Sequence, residues 1–261
     1  MALLEEYVYA LAQRIAKGQR NVFFTGAGIS TESGIPDFRS AGGIWSTYKP
    51  VYFDEFMTSR QARIEYWRQK VAFSELLSHV QPNPAHTAIV KLHEMGFAQA
   101  VITQNVDGMH QASGMPEDTV IELHGNSLRV RCMTCRKVTP LDEALASVKA
   151  GDLAPECACG GYLKPDTISF GQAMPEQEVK AAIDLARAAD CFVVVGSTLV
   201  VQPAASIPLY ALEAGAFLAI INLSETPCDD QSNLLIREKA GIALSMLVDD
   251  VVKILSERRK A

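Results

Sequence analysis

The sequence predicts an α/β fold in which a doubly wound parallel sheet carries a small inserted module. Short apolar runs alternate with segments whose apolar residues recur every three or four positions, which is typical of a parallel sheet covered on both faces. Polar residues or glycines follow directly after several predicted strands: Gly26, Gln104, His124, Gly196 and Asn222. Because ligands bind beyond the carboxyl ends of strands in such sheets, we expect a binding crevice along that edge.

The individual elements are predicted from the spacing of apolar residues. Apolar side chains from Leu3 to Ile15 recur at helical spacing, and Gly18 is placed to end this helix. Residues 41–85 have irregular periodicity and many aromatic side chains, which favours a helical excursion from the sheet. Elsewhere the spacing predicts strands at 21–24, 100–103, 120–123, 191–195 and 217–223, and helices at 86–94, 178–189, 204–214 and 247–258.

We expect a main domain with an insertion in two parts. Residues 1–40, 86–127 and 166–261 contain the alternating strands and helices and form the main, Rossmann-like domain. Residues 41–85 form a helical insertion, and residues 128–165 form an insertion around clustered cysteines. Together the two insertions are predicted to form the small domain.

The composition argues against nucleic acid and membranes as partners. The formal net charge is −6, whereas a nucleic-acid-binding protein usually carries a basic face. No apolar run reaches the roughly 18 residues that a membrane-spanning helix needs. The first residues predict an amphipathic helix with early acidic residues, without the basic start of a signal peptide, so we expect a cytoplasmic location.

The segment from Thr25 to Arg39, TGAGISTESGIPDFR, indicates a dinucleotide-binding loop. Gly26 and Gly28 lack a Cβ atom, so the chain can turn sharply and approach a ligand closely. Amide groups at the start of a following helix would face a pyrophosphate. A lone pair of glycines would equally suit a surface turn, but the length and composition of the segment favour the binding loop.

The same segment departs from an ordinary Rossmann fingerprint. Thr31 occupies the position of the third glycine, and Gly34 and Pro36 break the helix early. A shaped loop follows, with a charged pair around an aromatic residue that suits the sugar, phosphate and ring of a cofactor: Asp37, Phe38 and Arg39.

The clustered cysteines predict a structural zinc site. Cys132 and Cys135 have the usual spacing of two intervening residues, whereas Cys157 and Cys159 are separated by one. Because the second pair precedes two glycines, both thiols are still expected to reach one ion. Cys191 and Cys228 lie outside the cluster and are expected to be inert thiols.

Polar side chains after the predicted strands are the candidates for catalysis. His124 ends a strand, and a histidine pKa of about 6.5 makes it a usable base near neutral pH. An isolated histidine at this position would more often be structural. Gln104, Asn105 and Asp107 form a dense cluster after another strand, although Asp107 alone is also compatible with a turn that caps a helix.

Several of these motifs together resemble the sirtuins, the NAD-dependent protein deacylases. The resemblance is carried, in the order of that family, by TGAGISTESGIPDFR, Gly42-Gly43-Ile44-Trp45, Thr103-Gln104-Asn105-Val106-Asp107, Glu122-Leu123-His124-Gly125, the four cysteines, Gly196-Ser197-Thr198 and Asn222-Leu223. It implies NAD⁺ as co-substrate, one structural Zn²⁺, and acetylated lysine on proteins as substrate. The implied reaction moves the acetyl or acyl group to ADP-ribose and releases nicotinamide and O-acetyl-ADP-ribose.

The resemblance also implies the roles of individual residues. In the reaction that the resemblance implies, His124 is the general base, Asp107 and the Val106 backbone hold nicotinamide, and Gln104 and Asn105 contact the ribose and the water or substrate near it. The segment containing Ile168, Phe170 and Gly171 lines the acyl-lysine tunnel. The implied cofactor contacts are Gly26, Ala27, Gly28, Ser30, Thr31, Asp37, Phe38, Arg39, Gln104, Asn105, Val106, Asp107, His124, Gly196, Ser197, Thr198, Val201, Asn222, Leu223 and Asp250. The family usually has Glu after the glycine of the tunnel segment, whereas this chain has Gln172.

The acyl group is expected to be neutral. Sirtuins that prefer succinyl or malonyl groups carry Tyr and Arg three residues apart, but here Glu65 stands three residues before Arg68. Two other functions stay open: a protein ADP-ribosyltransferase, and a non-catalytic module that binds NAD or ADP-ribose. A dehydrogenase is disfavoured, because the third glycine and the acidic partner of the fingerprint are missing.

Overall fold

The computed structural model describes residues 2–37 and 42–259 of the chain. Its helices are α1 (Ala2–Ile15), α2 (Ile44–Thr47), α3 (Phe53–Thr58), α4 (Arg60–Leu77), α5 (Pro84–Glu94), α6 (Met109–Ala112), α7 (Leu141–Lys149), α8 (Glu176–Ala188), α9 (Ile207–Glu213) and α10 (Ala240–Arg258). Its strands are β1 (Asn21–Thr25), β2 (Ala100–Thr103), β3 (Val120–Glu122), β4 (Gly125–Cys132), β5 (Val138–Pro140), β6 (Leu163–Thr167), β7 (Cys191–Val195), β8 (Phe217–Ile221) and β9 (Leu234–Ile236).

A parallel sheet forms the centre of the main domain. Within the described residues, six strands pair in the order β3-β2-β1-β7-β8-β9, all parallel. The chain moves outward from β1 in both directions, so β1 and β7 meet at the point where the strand order reverses. In a doubly wound sheet this point is where a crevice opens for a ligand.

Helices cover both faces of this sheet, as the alternating pattern predicted. β1 and β7 are buried along their whole length, which explains their nearly continuous apolar sequences. One face packs against α1, α5 and α10, and the other against α8 and α9. The core therefore fixes the carboxyl ends of the strands as a rigid edge.

The small module has an antiparallel sheet of its own. Three strands pair in the order β5-β4-β6, and α7 packs against them. Trp67 of α4 is fully buried in the same core, and its indole Nε1 donates to the carbonyl of Leu163 at 3.1 Å. Arg63 lies over the ring of Tyr162 at 3.6 Å. The helical segment and the cysteine segment thus pack together. The three-stranded sheet of the module spans residues 125–167, whereas the sequence suggested an insertion at 128–165.

Three local features differ from the sequence expectation. A further strand, β9, was missed because it has only three residues. Helix α10 begins at Ala240 rather than at residue 247. Gly241 in its first turn is a poor helix former, although Ala240, Ala243, Leu244 and Leu247 are buried at helical spacing. The segment after β1 is a 3₁₀ helix from Ala27 to Ser33, ended by Gly34 at a φ of 93°. No helix in residues 2–37 and 42–259 is both long and apolar enough to cross a membrane.

Candidate functional site

A cavity of about 720 Å³ lies at the carboxyl edge of the parallel sheet, between the main domain and the small module. Its size is within the range of small-molecule sites. The predicted residues that line it are Gly26, Ala27, Gly28, Thr31, Asp37, Gln104, Asn105, Val106, His124, Ile168, Phe170, Gly171, Gly196, Ser197, Thr198, Val201, Asn222 and Leu223. Phe38 and Arg39 lie outside the described residues.

The glycines of the loop after β1 allow two strand ends to meet closely. A Cβ atom on Gly28 would stand 2.8 Å from the Cα atom and the carbonyl oxygen of Gly196. The Gly28 N–H donates to that carbonyl at 2.8 Å, so this amide does not face the cavity as a free phosphate donor. The glycine pattern therefore serves the contact between the ends of β1 and β7, in addition to leaving room for a ligand.

His124 is held in one tautomer by a backbone carbonyl. Its Nδ1 lies 2.9 Å from the carbonyl oxygen of Gln104, which can only accept, so Nδ1 carries the proton. Nε2 is then left with its lone pair as an acceptor. Burial lowers the pKa of His124, although the bond to Gln104 raises it, so the ring is neutral at pH 7. This is the arrangement that a general base requires.

Asn105 and Asp107 lie beside the loop after β1. The Asn105 Nδ2 atom donates to the Gly26 carbonyl and to Ser30 Oγ, each at 3.2 Å. Ser30 Oγ donates to Asp107 Oδ2 at 2.8 Å. These residues border a small recess that adjoins the cavity through Asn105 and Val106. The recess has a volume of about 10 Å³, so only the tip of a polar group fits into it, and that tip meets Asp107.

Asp107 also has the capping role that the sequence left open. Its Oδ1 accepts from the N–H of Met109, in the first turn of α6, at 3.0 Å. Burial raises the pKa of Asp107, while the bonds from Met109 and Ser30 lower it, and the net direction is upward. One carboxylate therefore caps a short helix and presents its other oxygen towards the recess.

The far end of the cavity is formed by the ends of β7, β8 and β9. Ser197 Oγ accepts from Gln104 Nε2 at 2.8 Å, which joins this end to the His124 side. The sequence missed the lining residues Glu238, Lys239 and Ala240, which follow β9. The feature of the sequence that could have revealed them is the apolar run Leu234-Leu235-Ile236, which precedes a polar segment. This run is too short to be recognised as a strand.

The structure does not bring Asp250 to this cavity. Asp250 lies ten residues beyond Ala240, about 15 Å along α10. Its charged neighbours include Lys253 and Glu5 of α1. The expectation that Asp250 contacts the cofactor is therefore corrected: the start of α10 reaches the cavity and its middle does not.

The acyl-side wall comes from the segment after β6. The N–H of Ile168 donates to the His124 carbonyl at 2.9 Å, which places this segment beside the histidine. The Phe170 ring stacks against Tyr52 at 5.8 Å, and Gln172 Oε1 accepts from the N–H of Ser169 at 3.2 Å. Glutamine thus closes this turn where the sirtuins usually have glutamate.

Residues of the helical segment that the sequence did not single out also line the cavity: Pro50, Val51, Tyr66, Gln69 and Lys70. Arg68 is instead exposed and paired with Glu65, through two bonds of 2.7 Å. Arg68 is not among the lining residues.

The four cysteines of the small module lie close enough to hold one metal ion. Their sulfur atoms all lie within 4.8 Å of one another, with 3.5 Å between Cys132 and Cys159 and 3.8 Å between Cys135 and Cys157. Four sulfurs placed tetrahedrally at about 2.3 Å from zinc stand about 3.8 Å apart. The single residue between Cys157 and Cys159 therefore still allows both thiols to reach the same ion.

The fold and the site define a Rossmann-like protein that carries a four-cysteine module. Comparison with known proteins gives its family. The Sir2 family model matches residues 26–203. An NAD-dependent protein deacetylase 1 from Bradyrhizobium diazoefficiens is 47% identical over 246 residues, which are 94% of this chain and 96% of that protein. An NAD-dependent protein deacylase 2 from Pyrobaculum aerophilum is 40% identical over 95% of this chain and 98% of its own length. The chain belongs to the Sir2 family.

Solved structures give the same result. A Sir2 homologue in complex with NAD superposes with a TM-score of 0.82 at 35% identity, over 94% of each chain. A Sir2 protein with a deacetylated peptide and 3′-O-acetyl ADP-ribose gives a TM-score of 0.83 at 33% identity, over 92% of this chain and 97% of that one.

Proposed function

We propose that this chain is an NAD-dependent protein-lysine deacetylase that transfers the acetyl group of acetyl-lysine to ADP-ribose. The observation that carries the proposal is the tautomer of His124: Nδ1 is bonded to the Gln104 carbonyl, and Nε2 is an acceptor in a cavity shared by the loop after β1 and the wall after β6. The names of the relatives support the same activity.

The residues that line the cavity fit an NAD⁺ molecule. The glycine turn after β1 and the ends of β7 and β8 provide space and hydrogen-bonding groups along the cavity. When bound, NAD⁺ supplies the ADP-ribosyl group that accepts the acetyl group, and nicotinamide is the leaving group.

Each polar residue has a distinct task in this proposal. His124 Nε2 accepts a proton from a hydroxyl group in the cavity. Asp107, held by Ser30 and the Met109 N–H, accepts from the amide of nicotinamide in the recess. Asn105 is fixed by its bonds to the Gly26 carbonyl and to Ser30 Oγ, and it orients the reacting groups in the space between His124 and Asp107.

The wall after β6 holds the acyl-lysine. Ile168, Phe170 and Gly171 line this part of the cavity, and the bond from Ile168 to the His124 carbonyl fixes the wall relative to the base. We propose acetyl as the preferred acyl group, because Arg68 is occupied by Glu65. A zinc ion held by Cys132, Cys135, Cys157 and Cys159 would be structural, since four thiolates leave no open position for a substrate.

We also propose a cytoplasmic location and proteins, rather than nucleic acids or membranes, as partners. Cys191 and Cys228, the two cysteines outside the proposed zinc site, are buried thiols and not a disulfide, which suits a reducing compartment. The net charge of −6 favours basic, lysine-containing segments over polyanions.

The test is a comparison of His124→Ala with His93→Ala. His93 makes the same kind of bond, from Nδ1 to a backbone carbonyl at 2.8 Å, but lies on α5 outside the cavity. We expect His124→Ala to lower deacetylation of an acetyl-lysine peptide by about 10²–10⁴-fold, and His93→Ala to leave it within about threefold of wild type. Mass spectrometry measures both the loss of acetyl from the peptide and any gain of ADP-ribose by the protein.

Equal activity of the two variants would remove His124 as the base. Gain of ADP-ribose by the acceptor protein without loss of acetyl would instead support the ADP-ribosyltransferase function. No release of nicotinamide with any peptide would support a non-catalytic binding module.

A further inference from the structure

The segment Asn222–Ser224 forms one wall at the far end of the cavity. Asn222 Nδ2 donates to the carbonyl and to Oγ of Ser224, at 2.8 and 3.1 Å. The amide donor is therefore used within the segment, which leaves Asn222 Oδ1 to accept from a ligand. Leu223, between them, is 63% exposed and gives this segment little packing of its own.

Arg237 holds this wall from outside the cavity. Parallel β8 and β9 pair Ile221 with Ile236, so the two chains leave the sheet side by side. The Arg237 Nη1 atom crosses between them and donates to the carbonyls of Asn222 and Ser224, at 3.0 and 2.6 Å. Arg237 itself is not among the residues that line the cavity.

Asp229 holds the arginine in this position. Its carboxylate pairs with Arg237 Nη2, and only 31% of the arginine side chain and 16% of the aspartate side chain are exposed. The same carboxylate accepts from the N–H and Oγ1 of Thr226, at 3.1 and 2.7 Å. Burial raises the pKa of Asp229, but the bonds from Thr226 and Arg237 outweigh it and keep the group ionised.

The arginine therefore connects two walls of the cavity. Immediately after Arg237 come Glu238, Lys239 and Ala240, which line the cavity beside Asn222–Ser224. A guanidinium group with fixed, planar donors keeps both segments in one relative position, which a flexible ammonium group does less well.

We propose that Arg237, oriented by Asp229, is a positioning residue that sets the shape of the far end of the cavity, where the adenosine part of NAD⁺ lies when its nicotinamide end is beside His124 and Asp107. The inference rests on the proposed function only for the identity of the ligand. Asn222 and the start of α10 contact the ligand, and Arg237 acts through them.

The effect is expected on binding rather than on chemistry. His124 lies at the other end of the cavity, so loss of the arginine weakens ground-state and transition-state binding alike. Such a loss raises the KM for NAD⁺ and leaves kcat unchanged. We expect Arg237→Gln to raise the KM for NAD⁺ and the Kd for ADP-ribose by about tenfold. The KM for the acetyl peptide is expected to stay the same.

The matched control is Arg20→Gln. Arg20 also forms an ion pair, with Asp190 at 2.9 Å, and its partner also accepts backbone N–H groups, from Gln19 and Arg20. This pair lies at the amino edge of the sheet, away from the cavity. Arg20→Gln therefore shows how far ligand binding changes when an ion pair of this kind is removed from elsewhere in the protein. Arg237→Lys is expected to fall between Arg237→Gln and wild type, because lysine keeps the charge but not the fork of donors.

Calorimetry measures the Kd for ADP-ribose, and steady-state kinetics measure kcat and the KM for NAD⁺. The proposal is supported if Arg237→Gln weakens ADP-ribose binding about tenfold while Arg20→Gln does not. It is overturned if both variants weaken binding equally, or if kcat falls while the KM for NAD⁺ and the Kd for ADP-ribose stay the same. Because ADP-ribose binding needs no turnover, a wild-type protein that deacetylates nothing would defeat the proposed function and leave this test intact.

Discussion

The cavity at the edge of the parallel sheet and the four-cysteine module are held in shape by different means. The cavity rests on strands buried on both faces, with β1 and β7 completely enclosed. The module has a much smaller core, formed by Trp67, Val130, Leu141, Ala144 and Leu145. A small core contributes little net stability, so such modules usually need a metal ion or a disulfide.

This difference shows that the parallel sheet holds the ligand-binding groups of the cavity, whereas the four-cysteine module supports one of its walls. The cavity is pre-organised by hydrogen bonds between strand ends, such as those of His124 with Gln104 and of Gln104 with Ser197. The module contributes one wall, after β6, which is held by the pairing of β6 with β4 and by the bond from Ile168 to the His124 carbonyl. The following experiments test this division, beginning with the largest expected effect.

Removing two zinc ligands should disrupt the module and spare the main domain. In Cys132→Ser/Cys135→Ser we expect loss of bound zinc and deacetylation below about 1% of wild type, because the wall after β6 loses its support. ADP-ribose should still bind within about tenfold of wild type, because its contacts lie on the parallel sheet. Elemental analysis and calorimetry measure the two quantities.

The control for this variant is Cys228→Ala, a buried thiol outside the cluster. It should keep one zinc ion per chain. If the double variant kept zinc and full activity, the module would not depend on these thiols.

A methyl group at Gly28 should damage the cavity and spare the module. Its Cβ atom would stand 2.8 Å from Gly196, so the ends of β1 and β7 must separate. We expect Gly28→Ala to lower kcat/KM for NAD⁺ about 100-fold while zinc content stays at one ion per chain. Gly151→Ala is the control, because no atom lies within 4 Å of the added Cβ; its φ of 104° adds a backbone strain that Gly28 does not have, so this variant tests whether strain alone lowers the activity. Equal activity of Gly28→Ala and wild type would contradict the close contact between the strand ends.

Acidification should weaken the main domain through two buried histidines beneath the cavity. Burial lowers the pKa of His86 to about 4, and burial together with His86 lowers the pKa of His110 to about 3. Below pH 6.5 the unfolded chain binds protons that the folded chain does not. The free energy of unfolding should therefore fall between pH 6.5 and pH 4, by about 1.4 kcal/mol per pH unit for each histidine.

Denaturant unfolding at several pH values measures this slope. His110→Gln should reduce it, whereas His79→Gln, at an exposed position, should leave it unchanged. A slope that is the same in His110→Gln and wild type would show that His110 is not responsible.

Much of the fold was predictable, because the strands are short apolar runs between recognisable helices. Strands 100–103 and 191–195 have the predicted limits, and the other predicted strands differ by one or two residues. The prediction failed at β9, whose three apolar residues are too few to be recognised as a strand, and at the start of α10, where Gly241 lowers the helix propensity. That failure also hid Glu238, Lys239 and Ala240, since lining residues were sought only after predicted strands.

The candidate site was predictable for a different reason. Its residues stand at the ends of consecutive strands, and the carboxyl ends of parallel strands meet at one edge. Asp250 was wrongly included because a residue in a helix carries no such constraint, and its position depends on where the helix begins.

The sequence by itself determined the parallel sheet and the position of its binding edge, because both depend on local spacing and on residue type. Only the tertiary structure decided that Nδ1 of His124 is bonded to a carbonyl and Nε2 is left as an acceptor. It also decided that four unevenly spaced thiols lie within 4.8 Å of one another, and that Arg237 connects two cavity walls. The physical reason is that these three features join residues far apart in the chain, and distances between such residues are set by packing and not by sequence separation.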